Sequence, residues 1–474
     1  MSGATTPPTS ASGETPEQAL GRAQAAAQAK RFNEAAGICN DVLAASPDHP
    51  AALALLGMVY AHQAEHERGI ELLERAVKLR PGVASWNANL CALYRLVYRM
   101  QDALNAGQEA VRLDPQSADH LVNLSLVFTD VDDRERAVAC LLRALGLKPD
   151  HADGHLALGQ NLLAMGEFEP GWIEYEWRNQ TEAGKGTLPK MTSAAWNGMR
   201  IPRGRLLMVG DQGYGDTIQF ARYIPLIADR CQELILGCSA EMGPILSSIP
   251  GVKQYCHRWT DVPGHAAHCR LSSVPMLVHT MLDTIPAKVP YLFADPARVA
   301  HWRQRLDATL PQGVRRIGLA WTGRPTHPND RRRSVRLARL APLAKAGRAS
   351  FVSLQKPMPP ADLDTLVAFP GLTDISADLT DFGETAAVMA NLDMIITVDT
   401  AMGHLAGALA KPVWIMLPKA SDWRWLLDRS DSPWYPTARL FRQRVPGEWD
   451  PVIAEVAAAL ANELTAGAEG IAAD

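Results

Sequence analysis

Between residues 15 and 165 apolar side chains recur at helical spacing, and the runs are punctuated by proline. Pro47, Pro81, Pro115 and Pro149 stand 34 residues apart and close the similar phrases LAASPDHP, AVKLRPGV, AVRLDPQS and ALGLKPDH. An amphipathic stretch precedes each proline (AAGICNDVLAAS, GIELLERAVKLR, DALNAGQEAVRL, RAVACLLRALGL). Another follows it (AALALLGMVYAHQ, ASWNANLCALYRLVY, ADHLVNLSLVF, ADGHLALGQNLLAMG). Apolar positions three and four apart argue helices. Proline lacks the N–H needed to continue a helix, so it ends the second of each pair. Gly57, Ala88, Ala92 and Gly159 fall where two helices would approach closely. The pattern predicts about four full helix pairs, then a half-repeat FEPGWIEYEWRNQ, stacked as an N-terminal α-solenoid.

From residue 204 the period changes. Short apolar runs (RLLMVG, ELILGC, then RRIGLAW, SFVSLQ, DMIITV, PVWIML) alternate with helical segments (TIQFARYIPLIADR, AEMGPILSSI, LARLAPLAKAG, ETAAVMANL, TAMGHLAGALA) and a last helix near 449–465. Alternating strand and helix predicts parallel sheets covered by helices. A Pro-rich passage, IPAKVPYLFADP (285–296), separates two such sets. The expected organisation is a tail over 1–14, a repeat domain over 15–180, a linker over 181–203, and doubly wound α/β domains over 204–296 and 297–474. A ligand cleft would then lie between the α/β domains, at the carboxyl ends of their strands. Trp172, Tyr175, Trp177 and Trp196 read as an apolar clasp between the repeats and the first α/β domain.

Composition narrows the picture. In 474 residues 47% are apolar and 21% charged, which excludes global disorder. A net charge of −4 leaves no overall basic field for nucleic acid. Seven cysteines without a C-x-x-C pair fit a reducing cytoplasm better than a disulfide scaffold. No apolar run reaches the ~18 residues of a membrane span. The first residues, MSGATTPPTSASGE, lack the basic start and apolar core of a signal peptide and read as a disordered tail.

Three segments carry candidate chemistry. In GDQGYGDTIQFARY (210–223), Gly210, Gly213 and Gly215 allow a tight turn into a helix, followed by Thr217. Asp216 at the helix mouth fits two roles, an N-cap or a general base facing the cleft. In ITVDTAMGHLAGALAKPVWIML (396–417), Asp399 or Thr400 caps a helix. The small Ala401 and Gly403 leave the first N–H groups of that helix open to a phosphate. His404 either donates to that phosphate or packs the helix. The loop AWTGRPTHPNDRRRSVRL (320–337) follows Trp321 and concentrates Arg324, Arg331, Arg332, Arg333 and Arg336. It is either a phosphate-binding patch or a solvated loop. Lys356, ending SLQK, can reach the same cleft. On the first helices of repeats, Asn87, Asn89 and Asn123 are either peptide-backbone ligands or ordinary solvated amides. Cys256, His257, His265, His268 and Cys269 crowd together but have no recognised zinc spacing.

The 34-residue helix-turn-helix phrase resembles the tetratricopeptide repeat. GDQGYGDTIQ, the basic loop and VDTAMGHLAGAL together resemble the heptosyltransferase-like glycosyltransferases, family nine. The whole chain beyond the tail resembles bacterial tetratricopeptide-repeat glycosyltransferases, down to the phrase DWRWLLDRSDSPWYPTARLFRQ (422–443). The resemblance implies a GT-B pair of domains, the first on the acceptor side and the second holding a nucleotide-sugar donor. It implies inverting transfer with no metal and no cofactor. Asp216 matches the family's catalytic base; Asp399, Thr400 and His404 match its phosphate motif; Arg333 falls near a cationic donor position. Gly213, Gly215, Thr217, Trp321, Arg324, Lys356, Ala401 and Gly403 join these as donor-site candidates. Ala401 and Gly403 depart from the family's Gly and Ser, so the donor need not be ADP-heptose.

The expected function is sugar transfer to a protein acceptor, a flagellin or another bacterial surface protein, recruited by the repeats. Sugar transfer to lipopolysaccharide or another glycan is the second reading. A repeat scaffold with a degenerate transferase domain is the third.

Overall fold

The computed structural model describes residues 14–327 and 329–471. The expected tail over 1–14 lies outside these apart from Glu14, which pairs with Arg22 at 2.6 Å. The chain divides into two compact units, one ending at Asn161 and the other beginning at Leu162.

The first unit is an α-solenoid. Its helices are α1 (Pro16–Gln28), α2 (Phe32–Ala45), α3 (Pro50–His62), α4 (His66–Leu79), α5 (Ala84–Leu96), α6 (Met100–Leu113), α7 (Ala118–Asp130) and α8 (Arg134–Leu147). α9 (Ala152–Met165) begins in this unit and runs past its end. The odd-numbered helices stack on one another, and each also packs against its even-numbered partner. Leu53, Ile70, Leu73, Leu90, Cys91 and Val127 fill the space between them. A Cβ on Gly57 would stand 2.8 Å from the carbonyl oxygen of Gly69, so the close backbone approach of α3 and α4 at this point requires glycine.

A second 34-residue signal appears only in the backbone. Lys30, Ala64, Tyr98 and Asp132 have φ of 60°, 65°, 62° and 69°, and Gly166 continues the series at 86°. Each follows the first helix of a pair. The next N–H then bonds back five residues, as in Arg31 to Ala26 (2.8 Å), Glu65 to Tyr60 (2.9 Å), Arg99 to Tyr94 (2.9 Å) and Asp133 to Phe128 (2.8 Å). This is the Schellman cap, which satisfies helix-end carbonyls through one left-handed residue. Glycine normally takes that place, yet four of the five turns hold residues with a side chain, so propensity gave no sign of it.

The second unit opens with helix α10 (Phe168–Tyr175) and contains two wholly parallel sheets. The first has the order β1-β5-β2-β3-β4, from β1 (Ala194–Ala195), β2 (Ile201–Val209), β3 (Cys231–Gly237), β4 (Val252–Cys256) and β5 (Ala267–Arg270). The second has the order β11-β10-β9-β6-β7-β8. Its strands are β6 (Arg315–Ala320), β7 (Ala349–Ser353), β8 (Leu372–Asp374), β9 (Met394–Val398), β10 (Val413–Leu417) and β11 (Ala438–Arg442). Strands β9 and β10 are buried along their whole length, as expected of strands covered on both faces. In each sheet the chain winds outward one way and then reverses. The reversals lie between β2 and β5 and between β6 and β9. This is a solenoid followed by a GT-B-like pair of doubly wound sheets. The short strands β1, β4, β5, β8 and β11 were not predicted: each is five residues or fewer, and most are partly exposed.

α10 and the turn after it sit with the α/β unit. Trp172 packs edge-on against Trp423 at 5.2 Å and donates its indole N–H to the Thr280 carbonyl at 2.8 Å. Phe168 meets Trp434 at 6.4 Å. The aromatic segment therefore binds α10 to the α/β fold. Trp196 is buried and donates to the Met199 carbonyl at 2.7 Å.

The left-handed turns give a stability test. Ala64→Gly removes a Cβ from a conformation that costs an L-residue about 1 kcal/mol and is expected to raise the urea midpoint; Gly166→Ala is expected to lower it by a similar amount.

Candidate active site

In open parallel sheets a ligand binds beyond the strand ends where the winding reverses. Four loops meet that condition here. The glycine loop leaves β2 and the turn Leu271–Ser273 leaves β5; the Arg-rich loop leaves β6 and the Asp399–Thr400 turn leaves β9. The helix after the glycine loop, Tyr214–Ala221, packs against the helix after Thr400, Ala401–Ala408. A Cβ on Gly215 would stand 2.8 Å from Cδ2 of His404. Asp216 thus lies beside the start of the Ala401–Ala408 helix.

Asp216 closes the helix mouth from the third helical position, with Gly213 as the N-cap residue in place of the aspartate. Its Oδ2 accepts the Gly213 N–H at 2.9 Å, closing the helix start, while its side chain keeps 20% of its surface exposed. Its Oδ1 is ion-paired with Arg424. Burial pushes the carboxyl above the usual aspartate range. Arg424 and the Gly213 N–H pull it down, and Asp422 and Asp211 add to the rise.

Opposite, Thr400 accepts the Met402 N–H at 3.3 Å and caps its helix. Ala401 and Met402 are partly exposed at the mouth, whereas Gly403 is buried. Asp399 is buried, and burial together with repulsion from Asp422 pushes its carboxyl up to about 6. His404 is buried against Trp425, ring centroids 5.3 Å apart, with Nδ1 2.9 Å from the Tyr435 hydroxyl. Burial, then Arg424, Arg222 and Arg333, hold its imidazole well below the usual range. His404 is a neutral hydrogen-bonding group at neutral pH.

From the Arg-rich loop Arg333 is drawn inward, its side chain mostly buried. Arg333 acts electrostatically on both Asp399 and His404, and its buried Nε makes no hydrogen bond among the described residues. Arg324 is exposed. Lys356 donates to the Leu379 carbonyl. Trp321 is fully buried in the core of the second sheet, its indole donating to Asp362 at 2.9 Å, so its side chain does not face the cleft. Thr217 is buried beneath Gly210.

In the repeats, Asn87 is buried and donates to the Val83 carbonyl of its own helix at 3.2 Å. Asn89 and Asn123 are half-buried at equivalent positions of α5 and α7. Cys256 and Cys269 sit on β4 and β5, which β2 and β3 separate. Among the described residues no three His, Cys, Asp or Glu side chains form a metal-binding group.

Comparison with known proteins agrees with this architecture. Residues 26–92 and 118–151 match tetratricopeptide-repeat family models. Residues 374–417, which include β9, Asp399, Thr400 and His404, match the model of glycosyltransferase family 9 (heptosyltransferase). The chain thus combines stretches that match tetratricopeptide repeats with a stretch that matches family 9 glycosyltransferases. Protein FlbA of Caulobacter vibrioides is 27% identical over 428 residues, 82% of this chain and 69% of that one. Among solved structures, MamA is 21% identical over 35% of this chain and 97% of its own, with a TM-score of 0.31. MamA from Desulfovibrio magneticus is 16% identical over 35% of this chain and 97% of its own, with a TM-score of 0.32. No helix among the described residues is long and apolar enough to cross a membrane.

Around Asp216 and His404 the structure gathers residues that sequence reasoning did not assign to the site. Asp422, Arg424, Trp425 and Tyr435 all come from the phrase DWRWLLDRSDSPWYPTARL, which the sequence marked as a resemblance without assigning any of its residues to the site. Arg222 is buried over the rings of Tyr291 and Tyr435, each at 4.7 Å, and donates to the Trp434 carbonyl at 2.7 Å. It holds the first sheet's helix layer to the end of the second.

Two predictions test this geometry. Gly215→Ala must displace a histidine held on two sides; we expect a loss of about 1–3 kcal/mol in stability, read by chemical unfolding. For Asp399 the folded-state pKa lies above its unfolded value. Its protonated form therefore stabilises the fold, and that stability is lost as pH rises from about 4 through about 6. Asp399→Asn is expected to flatten this part of the stability–pH curve and to raise the melting temperature near pH 7.5.

Proposed function

We propose that this protein transfers a sugar from a nucleotide-sugar donor to a polypeptide acceptor recruited by its repeats, by inverting displacement without a metal ion. One observation carries the reading. The helix that carries Asp216 and the helix that begins at Ala401 pack together where both sheets reverse their winding, with Gly215 against His404.

The chemistry follows from that placement. Asp216 takes the proton of the acceptor hydroxyl as its oxygen bonds to the anomeric carbon. The bond from that carbon to the donor phosphate oxygen breaks on the opposite face, and the electron pair leaves with the nucleotide. The growing negative charge meets the positive end of the Ala401–Ala408 helix dipole and the Arg333 guanidinium. His404, being neutral, contributes a hydrogen bond rather than a charge. The repeats support a polypeptide acceptor because Asn89 and Asn123 recur at one helical position with amides able to bind an extended backbone. A bacterial surface protein such as flagellin is the acceptor class to try first.

Asp216→Asn is expected to lower transfer by about 10²–10⁴-fold while keeping the thermal shift given by the active nucleotide sugar. Full activity would remove Asp216 from the role. Asn89→Ala with Asn123→Ala is expected to weaken transfer to polypeptide and spare donor hydrolysis. Unchanged transfer to polypeptide, with a glycan also accepted, would favour the glycan reading.

A further inference from the structure

A carboxylate serves as a base only while ionised, and the surroundings of Asp216 work against that. Its side chain is four-fifths buried, and Asp422 and Asp211 both repel its charge. Charged and titratable groups that interact with it include Arg424, Asp422, Asp211, His327 and Tyr175. Arg424 alone of these is always a cation.

The geometry around Arg424 is that of a built bracket. The side chain is buried. Nη2 contacts Asp216 Oδ1, Nη1 donates to Asp422 Oδ1 at 2.7 Å, and Nε donates to Gln219 Oε1. All three nitrogens are engaged, so the planar fork is fixed in orientation. Its face lies 4.5 Å from the Trp423 ring centre, and Trp423 is itself packed by Trp172 and Tyr175 of α10. Asp216 is fixed through its other oxygen by the Gly213 N–H.

We propose that Arg424 is the positioning residue of Asp216: it keeps the carboxylate ionised and aimed in a poorly solvated site, while Asp422 shares the guanidinium and moderates its pull. The proposal rests on the reading of Asp216 as the base. Burial and the two aspartates would otherwise protonate Asp216 as pH falls toward the upper end of the carboxylate range. Asp422 has opposite effects on its two neighbours. It anchors Arg424, and it also repels Asp216. Removing Arg424 and removing Asp422 should therefore move the Asp216 titration in opposite directions, which a merely structural role would not do.

The test uses the full-length chain with 13Cγ-labelled aspartate, the Asp216 signal being assigned by its loss in Asp216→Asn. It needs no sugar donor. In Arg424→Gln the titration midpoint is expected to rise by about one pH unit or more, and Arg424→Lys should bring it back toward the native value. In Asp422→Asn the midpoint should fall. The acid limb of the transfer rate should move in the same directions. A folded Arg424→Gln protein with an unmoved midpoint overturns the proposal, as does an upward shift in Asp422→Asn. If Arg424→Gln does not fold, Arg424→Lys and Asp422→Asn decide it. Opposite midpoint shifts with full activity in Asp216→Asn would sustain the Arg424 assignment and discard the base reading, so the two failures are distinguishable.

Discussion

Two parallel sheets, each reversing its winding once, can share a site only if their loops come within contact distance. Here that contact is Gly215 against His404. Any side chain at 215 would occupy the space of the imidazole, and the imidazole cannot move away because Trp425 covers its face and Tyr435 holds its Nδ1. The approach fixes how far Asp216 stands from the helix that begins at Thr400. The chemistry proposed for this protein depends on that separation.

Around the contact, buried cations hold the two sheets together. Arg222 links the first sheet's helix layer to Tyr291 and Trp434, and Arg424 links Asp216 and Gln219 to Asp422. Buried charge is costly unless every donor is matched and aromatic faces replace water. On both arginines each guanidinium nitrogen makes a hydrogen bond and aromatic rings pack against the group, which offsets much of that cost. A second network joins the end of α10 to the glycine loop. Arg178 donates to Ser272 and Ser273 at 2.7 Å each, Ser272 donates to Asp211, and the Tyr175 hydroxyl donates to Gln212 at 2.9 Å. The last aromatic helix of the repeat pattern is thus wired to the loop that carries Asp216.

Much of this was legible in the chain itself. Proline every 34 residues gave the solenoid, and the change to short apolar runs gave the parallel sheets. Asp216, Asp399, Thr400 and His404 stood out because glycine and small residues flank them at helix starts. Other features stayed hidden for physical reasons. The left-handed turn residues Lys30, Ala64, Tyr98 and Asp132 bear side chains that disguise their conformation. Trp321 follows a strand as a cleft residue would, yet its indole turns into the core toward Asp362. Asn87 resembles its neighbour Asn89 in sequence but spends its amide on its own helix.

The sequence by itself determined periodicity and therefore element type, because hydrophobic spacing depends only on near neighbours along the chain. It also named the loops able to carry chemistry, since glycine and capping residues act locally. Tertiary structure decided which of those loops meet. Asp216 and Arg424 are 208 positions apart, and no local rule links them. Strand order brought them together, and with them came the burial and charge that set the state of every titratable group in the site.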